Sequence, residues 1–185
     1  KDVRIVGIDR RNDVISMARK MADLLDVSED VSFIECDLSS PDLASELPEG
    51  LDHVDMVVSL HACDTATDAV LEVAMRNRAW VVLSTPCCHH DLNRRLNSPA
   101  LGFIAEHSML RQKLCDAATD ALRLKKLEAN GYDVTALELI DPEETPKNIM
   151  LRGIRRYSPD SARCKKAAEE YRAAYEFLTG EKIEL

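Results

Sequence analysis

Two short segments concentrate the side chains that can do chemistry: His61-Ala62-Cys63-Asp64-Thr65-Ala66-Thr67-Asp68 and Pro86-Cys87-Cys88-His89-His90-Asp91. An imidazole moves protons near neutral pH, a carboxylate orients it, and thiolates with imidazoles are the ligands zinc prefers. Three readings follow. As a pocket, His61 or His89 is the general base, Asp64 the orienting carboxylate, and Cys87, Cys88, His89 and His90 line the substrate. As a metal centre, Cys63, Cys87, Cys88, His89 and His61 could supply four ligands, although adjacent Cys87-Cys88 is not the spaced clamp of a closed zinc site. As packing, Cys63 or Cys88 fills core space, since cysteine is among the most buried residue types. The pocket reading is preferred, and no residue is assigned to a metal. Cys36, Cys115 and Cys164 lie apart and are expected in the core.

A second set consists of carboxylates that close apolar runs. Asp9 ends Val-Gly-Ile-Asp, and Asp37 follows Val31–Cys36. In an open parallel sheet, ligands bind beyond the carboxyl ends of the strands. A carboxylate there can accept both hydroxyl hydrogens of a ribose, and a second one can meet an adenine amino group. The alternative is that each caps the next helix or turn. Together they favour an adenosine-type ligand without choosing among such ligands.

These residues need a scaffold, and the apolar runs describe one. Val3–Ile8, Val31–Cys36, Asp55–Leu60 and Ala79–Ser84 read as buried strands. One helix, with Ile15, Ala18, Ala22 and Leu25 on its apolar face, separates the first two. Another, capped by Asp64 or Thr65 and turning Ala66, Ala69, Val70 and Val73 inward, separates the last two. Ser39–Gly50 reads as loop with at most one helical turn. Helices between apolar strands require parallel pairing with right-handed crossovers. A long helix ending at Gly131 follows, with Leu110, Leu114, Ala117, Ala121 and Leu124 as its stripe. Val134–Ile140 and Asn148–Ile154 are joined too closely for a crossover and form an antiparallel hairpin. A final helix, Asp160–Leu178, turns Cys164, Ala168, Tyr171, Tyr175 and Leu178 inward. The expected fold is thus α/β, a Rossmann-like sheet, mostly parallel with a C-terminal antiparallel hairpin, in a single domain over residues 1–185.

Composition narrows the function classes. With 45% hydrophobic residues in 185, the chain can bury a core. A net charge of −9, from 24 Lys+Arg against 33 Asp+Glu, argues against a dedicated basic nucleic-acid module. The imbalance is local: residues 1–90 carry 8 basic and 17 acidic side chains, and residues 91–185 carry 16 of each. In the second half Arg152, Arg155, Arg156, Arg163, Lys165 and Lys166 form a basic cluster opposed only by Asp160. Such a cluster is either a phosphate-contact strip or a solvated face, the latter preferred because Tyr157 is its only interleaved aromatic residue. Sparse cysteines, no signal-peptide pattern and no long apolar run point to a cytoplasmic protein with reduced thiols and no membrane partner.

Leu60-His61-Ala62-Cys63 with Ala66-Thr67-Asp68, followed about twenty residues later by Cys87-Cys88-His89-His90, resembles one branch of the class I S-adenosylmethionine-dependent methyltransferases. That branch is the methyltransferase domain of glutathione S-transferase C-terminal-domain-containing proteins. A related His-x-Cys-Gly-x-Ala-Thr-Asp and Cys-Cys-His-His pair occurs in tRNA acceptor-stem 2′-O-methyltransferases. The Val-Gly-Ile-Asp run and Pro146-Lys147-Asn148-Ile149 also fit, so the resemblance touches residues 5 to about 154. It implies S-adenosylmethionine as cofactor, with Asp9 and Arg10 on the ribose side, Asp37 and Leu38 near the adenine, and Ser59 and His61 completing the contacts. His61 would face the transferred methyl group, with Cys87–His90 across the pocket and tRNA or another RNA as a possible acceptor class. The sequence departs from the family in two places. Asp64 stands where the tRNA enzymes have Gly, and no Gly-rich first motif occurs, so the chain reads as an N-terminally truncated fragment lacking the first strand. A zinc-binding or thiol-regulatory module built on the His/Cys edge, without methyl transfer, is the alternative.

Overall fold

The computed structural model describes residues 3–38, 53–60, 62–139 and 148–184, and the labels below number the elements found there. The chain divides into two compact units, Lys1–Asp52 and His53–Leu185.

In the first unit, β1 (Ile5–Asp9) pairs in parallel with β2 (Val31–Glu35), in a register that sets Asp9 opposite Glu35. The ladder continues one step further, because the Cys36 N–H donates to the Asp9 carbonyl at 3.1 Å. Helix α1 (Asn12–Leu24) crosses between the strands and buries Ile15 and Ala22. Its expected partner Leu25 instead lies outside, beyond the helix end. Gly7 lets the strands approach: a Cβ there would meet the Phe33 ring at 2.7 Å.

The second unit carries a four-stranded mixed sheet in the order β3-β4-β6-β5. Strands β3 (Met56–Leu60) and β4 (Val81–Thr85) are parallel, joined over α2 (Thr65–Arg76). The hairpin expected at the C-terminal end is present: β5 (Tyr132–Glu138) and β6 (Ile149–Arg155) are antiparallel, and β6 inserts between β5 and β4. The turn expected at 141–147 and the loop expected at Ser39–Gly50 lie outside the described residues. After β4 come the short helices α3 (Asp91–Arg95) and α4 (Gly102–Ala105), then the 22-residue α5 (Ser108–Ala129). Helix α6 (Ala162–Thr179) closes the unit; the Ser161 hydroxyl caps its start and Gly180, at φ 74°, its end.

The core of this unit sits where α2 and α5 cover one sheet face, around Leu71, Ala74, Val82, Leu127 and Tyr132. The Tyr132 hydroxyl donates toward the carbonyls of Ala74 and Ala79, tying β5 to the end of α2. At the seam between β4 and β6, Trp80 is 55% exposed and the Arg155 guanidinium stacks over its ring at 4.5 Å.

Two helices present different faces from those their apolar spacing suggests. In α2 the buried residues are Thr67, Val70, Leu71 and Ala74, with Ala66 outside. Thr67 can be buried because its hydroxyl donates to the Ala62 carbonyl at 2.7 Å. In α5 Leu110, Ala117 and Ala121 lie outside, and Cys115, Asp120, Arg123 and Leu127 point inward. An ion network, described next, makes that polar face the buried one.

Candidate active site

Parallel pairing of β3 and β4 brings the two His/Cys segments to one edge, at the carboxyl ends of neighbouring strands. They are stitched together by backbone. The Asp64 N–H donates to the Cys88 carbonyl at 3.2 Å, and Asp64 Oδ1 accepts the N–H groups of His90 at 3.0 Å and Asp91 at 3.1 Å. Asp64 therefore ties one loop to the start of α3, and its carboxylate is not the partner of His89. Its backbone sits at φ 51°, in the left-handed region that favours glycine. Asp64 thus holds a glycine-like conformation. It adds a carboxylate that a glycine lacks.

His89 is 3% exposed, and its carboxylate partners come from α5. Nε2 lies 2.8 Å from Asp120 Oδ1, while Nδ1 is 3.5 Å from Asp116 without a hydrogen bond of good geometry. Asp120 also receives Arg123 Nη1 at 3.2 Å. Arg123, equally buried, clamps both Asp68 oxygens at 2.9 and 3.0 Å and donates to the Asp64 carbonyl at 2.7 Å. Burial acts to lower the Arg123 pKa, but Asp68 and Asp120 outweigh it and the guanidinium pKa is raised. One chain of charge-assisted bonds therefore runs from the loop after β4, through α5, to the loop after β3. The expectation that His89 lines an open pocket gives way to a buried imidazole holding its loop against α5. Asp116, Asp120 and Arg123 are the members of this site that sequence reasoning missed. Their signal was a polar stripe at spacings of three and four on a helix otherwise read for its leucines.

The three thiols of these segments meet as well. Cys63 Sγ lies 3.3 Å from Cys87 Sγ, Cys87 Sγ lies 3.8 Å from Cys88 Sγ, and all three fall within 4.8 Å of one another. Burial first, then the neighbouring Cys63 and Cys88, push the Cys87 thiol up to about 12. Cys63 is exposed and the other two half-buried, whereas Cys115 and Cys164 are core residues as expected and Cys36, also expected there, is only half-buried. Ser59, at the end of β3, is buried, His90 is exposed, and His61 lies outside the described residues.

In the first unit, Asp9 and Asp37 stand at the ends of adjacent parallel strands. Asp9 Oδ1 accepts the Arg11 N–H at 2.8 Å, so the turn-capping role is real. A carboxylate has about four acceptor positions, which leaves capacity for a diol. Asp37 and Arg10 are exposed and Leu38 is half-buried.

A groove of about 270 Å³ runs beside the Arg123 network, bordered by Asp68, Asp91, Arg95, Arg123, Lys126 and Tyr175. Its charges are already matched, Arg95 with Asp91 and Glu181, Lys126 with Glu72. Three members of the basic cluster are matched too. Arg156 pairs with Asp133, Arg163 with Glu128 and Asp133, and Lys166 with Glu170, so Asp160 is not its only counter-charge.

Comparison with known proteins supplies the family. A family described as a methyltransferase domain matches residues 1–95, just over half of the chain. The chain belongs to that family. It is 27% identical over 122 residues to the glutathione S-transferase C-terminal domain-containing protein of Bos taurus, covering 52% of this chain and 19% of that protein. It is 32% identical over 124 residues to the Drosophila melanogaster homolog, covering 51% of this chain and 21% of the other. The alignments thus span about a fifth of these curated relatives. Among solved structures, an rRNA-methylase from Clostridium thermocellum superposes with a TM-score of 0.50 at 14% identity, over 83% of this chain and 75% of that one. The α/β fold is that of a Rossmann-like methylase. Among the described residues no helix is long and apolar enough to cross a membrane.

Proposed function

We propose that this methyltransferase-family chain takes its methyl group from S-adenosylmethionine and passes it to a nucleophile held beside the loops after β3 and β4. The observation that carries the reading is the family match over residues 1–95, which includes the Asp9/Asp37 strand ends and both His/Cys segments. The cofactor supplies an electrophilic methyl on a sulfonium. The chain's task is then alignment at near-attack distance, with a base where the acceptor is protonated. Asp9 takes the ribose diol and Asp37 the adenine side, flanked by Arg10 and Leu38, with Ser59 at the β3 end. His61 is the base or orienting group for the acceptor, and Cys87, Cys88 and His90 are the acceptor-facing side chains. Asp64 and His89 act as positioning residues, through His90, Asp91 and α5. RNA, the substrate class in the Clostridium neighbour's name, is the acceptor to try first, and the paired Arg156, Arg163 and Lys166 are not its expected contacts.

Calorimetric titration with S-adenosylhomocysteine tests the cofactor, using the chain both alone and with any sequence that precedes Lys1 in its gene. Asp9→Ala should weaken binding about 10- to 100-fold, since a hydrogen bond to a charged group contributes about 1.5–3 kcal/mol. No binding to either form, or an unchanged affinity in Asp9→Ala, would overturn the assignment.

A further inference from the structure

Sequence alone disfavoured a metal here, because adjacent cysteines do not make the spaced clamp of a closed four-ligand site. The side chains answer that objection, since what they form is a three-ligand site. We propose that Cys63, Cys87 and Cys88 form a binding site for a single Zn²⁺ ion, three thiolates at three corners of a tetrahedron and the fourth corner open to water or an exogenous ligand.

The argument starts from distances. With Zn–S near 2.3 Å, sulfurs at the corners of a regular tetrahedron lie about 3.8 Å apart. The Cys87–Cys88 sulfurs are separated by 3.8 Å and Cys63–Cys87 by 3.3 Å, with the third pair within 4.8 Å. Shifts of about half an ångström, within side-chain reach, bring all three edges to that value. The chemistry is also selective: three thiolates favour a soft or borderline cation over Mg²⁺ or Ca²⁺, which require oxygen.

The frame around the sulfurs is already fixed. Cys63 and Cys88 belong to different loops, yet the Asp64 N–H bonds the Cys88 carbonyl and the Asp64 carboxylate bonds the next two N–H groups. Thr67 anchors Ala62 on one side, and His89, the neighbour of Cys88, is locked to Asp120 on the other. The ligands are thus flanked by residues held in place from outside, as supporting shells around metal ligands are. Exposed Cys63 and half-buried Cys87 and Cys88 give an ion a path from solvent.

The probes are Zn²⁺ and Co²⁺ added to reduced, chelator-stripped protein. One ion per chain is expected, with a thiolate-to-cobalt charge-transfer band in the near ultraviolet and displacement of cobalt by zinc. Cys63→Ser, Cys87→Ser and Cys88→Ser should each weaken zinc binding at least about 100-fold, the upper end of what losing a supporting contact costs. Cys36→Ser should leave it unchanged. Cys63 is exposed, so its serine variant keeps a native circular dichroism spectrum and separates ligand loss from unfolding. The proposal is overturned by sub-stoichiometric binding, by a cobalt spectrum without the thiolate band, or by unchanged affinity in the Cys63 and Cys87 variants. It is also overturned if a Cys63–Cys87 disulfide forms in air at saturating zinc. None of these readouts depends on methyl transfer, so the proposal stands or falls apart from the cofactor assignment.

Discussion

At the scale of single residues, Asp64 shows how a side chain can hold a backbone conformation that glycine adopts freely. A non-glycine residue at φ 51° carries strain of about 1–3 kcal/mol. Two N–H donors on its carboxylate offset that strain. Asp64→Ala keeps the strain and loses both bonds, so it should destabilise the chain by about 2 kcal/mol. Asp64→Gly loses the same bonds but relaxes the backbone, and should cost about 1 kcal/mol less than alanine. Urea unfolding of the two variants decides the matter, and alanine proving the milder change would refute the account. The chemistry-bearing residues were legible at this scale because their types are rare and their spacing tight. Their roles were less so: whether His89 faces a pocket or Asp120 depends on α5, 31 residues along the chain.

At the scale of elements, strands were easier to read than helix faces. Apolar runs announce Met56–Leu60 and Val81–Thr85 within one or two residues of their ends, although Met56, Val58 and Leu60 of β3 are exposed rather than buried as expected. A helix must be read by phase, and phase fails where the inward face is polar. Asp120 and Arg123 satisfy each other, His89 and Asp68, which hydrophobic spacing does not register. The same limit hid the tie between α2 and α5, where Lys126 meets Glu72 at 3.1 Å. Burial acts to raise the Glu72 pKa, but Lys126 and Arg76 outweigh it and hold the carboxyl below its ordinary value. A depressed folded-state pKa contributes stability above the unfolded value, and that contribution is lost as pH falls through the folded one. The stability gap between wild type and Glu72→Gln should therefore be widest near neutral pH and close in acid. Its size should stay below about 1 kcal/mol, because the pair is partly exposed. A gap that widens on acidification would contradict the sign.

At the scale of the whole molecule, the two units differ in how much they bury. Among the described residues of the first, only Ile15 and Ala22 are buried, and Val3, Ile5, Met17, Met21, Leu24 and Leu25 are all exposed. A two-stranded sheet under one helix is marginal by itself. The second unit carries a continuous core and a four-stranded sheet. Amides of β1 and β2 should therefore exchange hydrogen well before those of β4 and β6, through openings that leave the second unit folded. Equal protection in both would show that they open together. The α/β class and terminal hairpin were visible in the order and spacing of apolar runs. The division after Asp52 follows directly on Ser39–Gly50, which its Ser, Pro and Gly residues mark as a loop in the sequence.

That division matters to anyone who follows this chain by light. Its one tryptophan, Trp80, lies on the β4–β6 seam under Arg155, and its four tyrosines, at 132, 157, 171 and 175, belong to the same unit. The first unit holds Asp9 and Asp37 but no residue that absorbs usefully near the excitation wavelength of tryptophan. Intrinsic emission would stay native while the strand ends proposed to grip the cofactor had already come apart. A melting curve recorded that way certifies the thiol edge and leaves the ribose end uninspected.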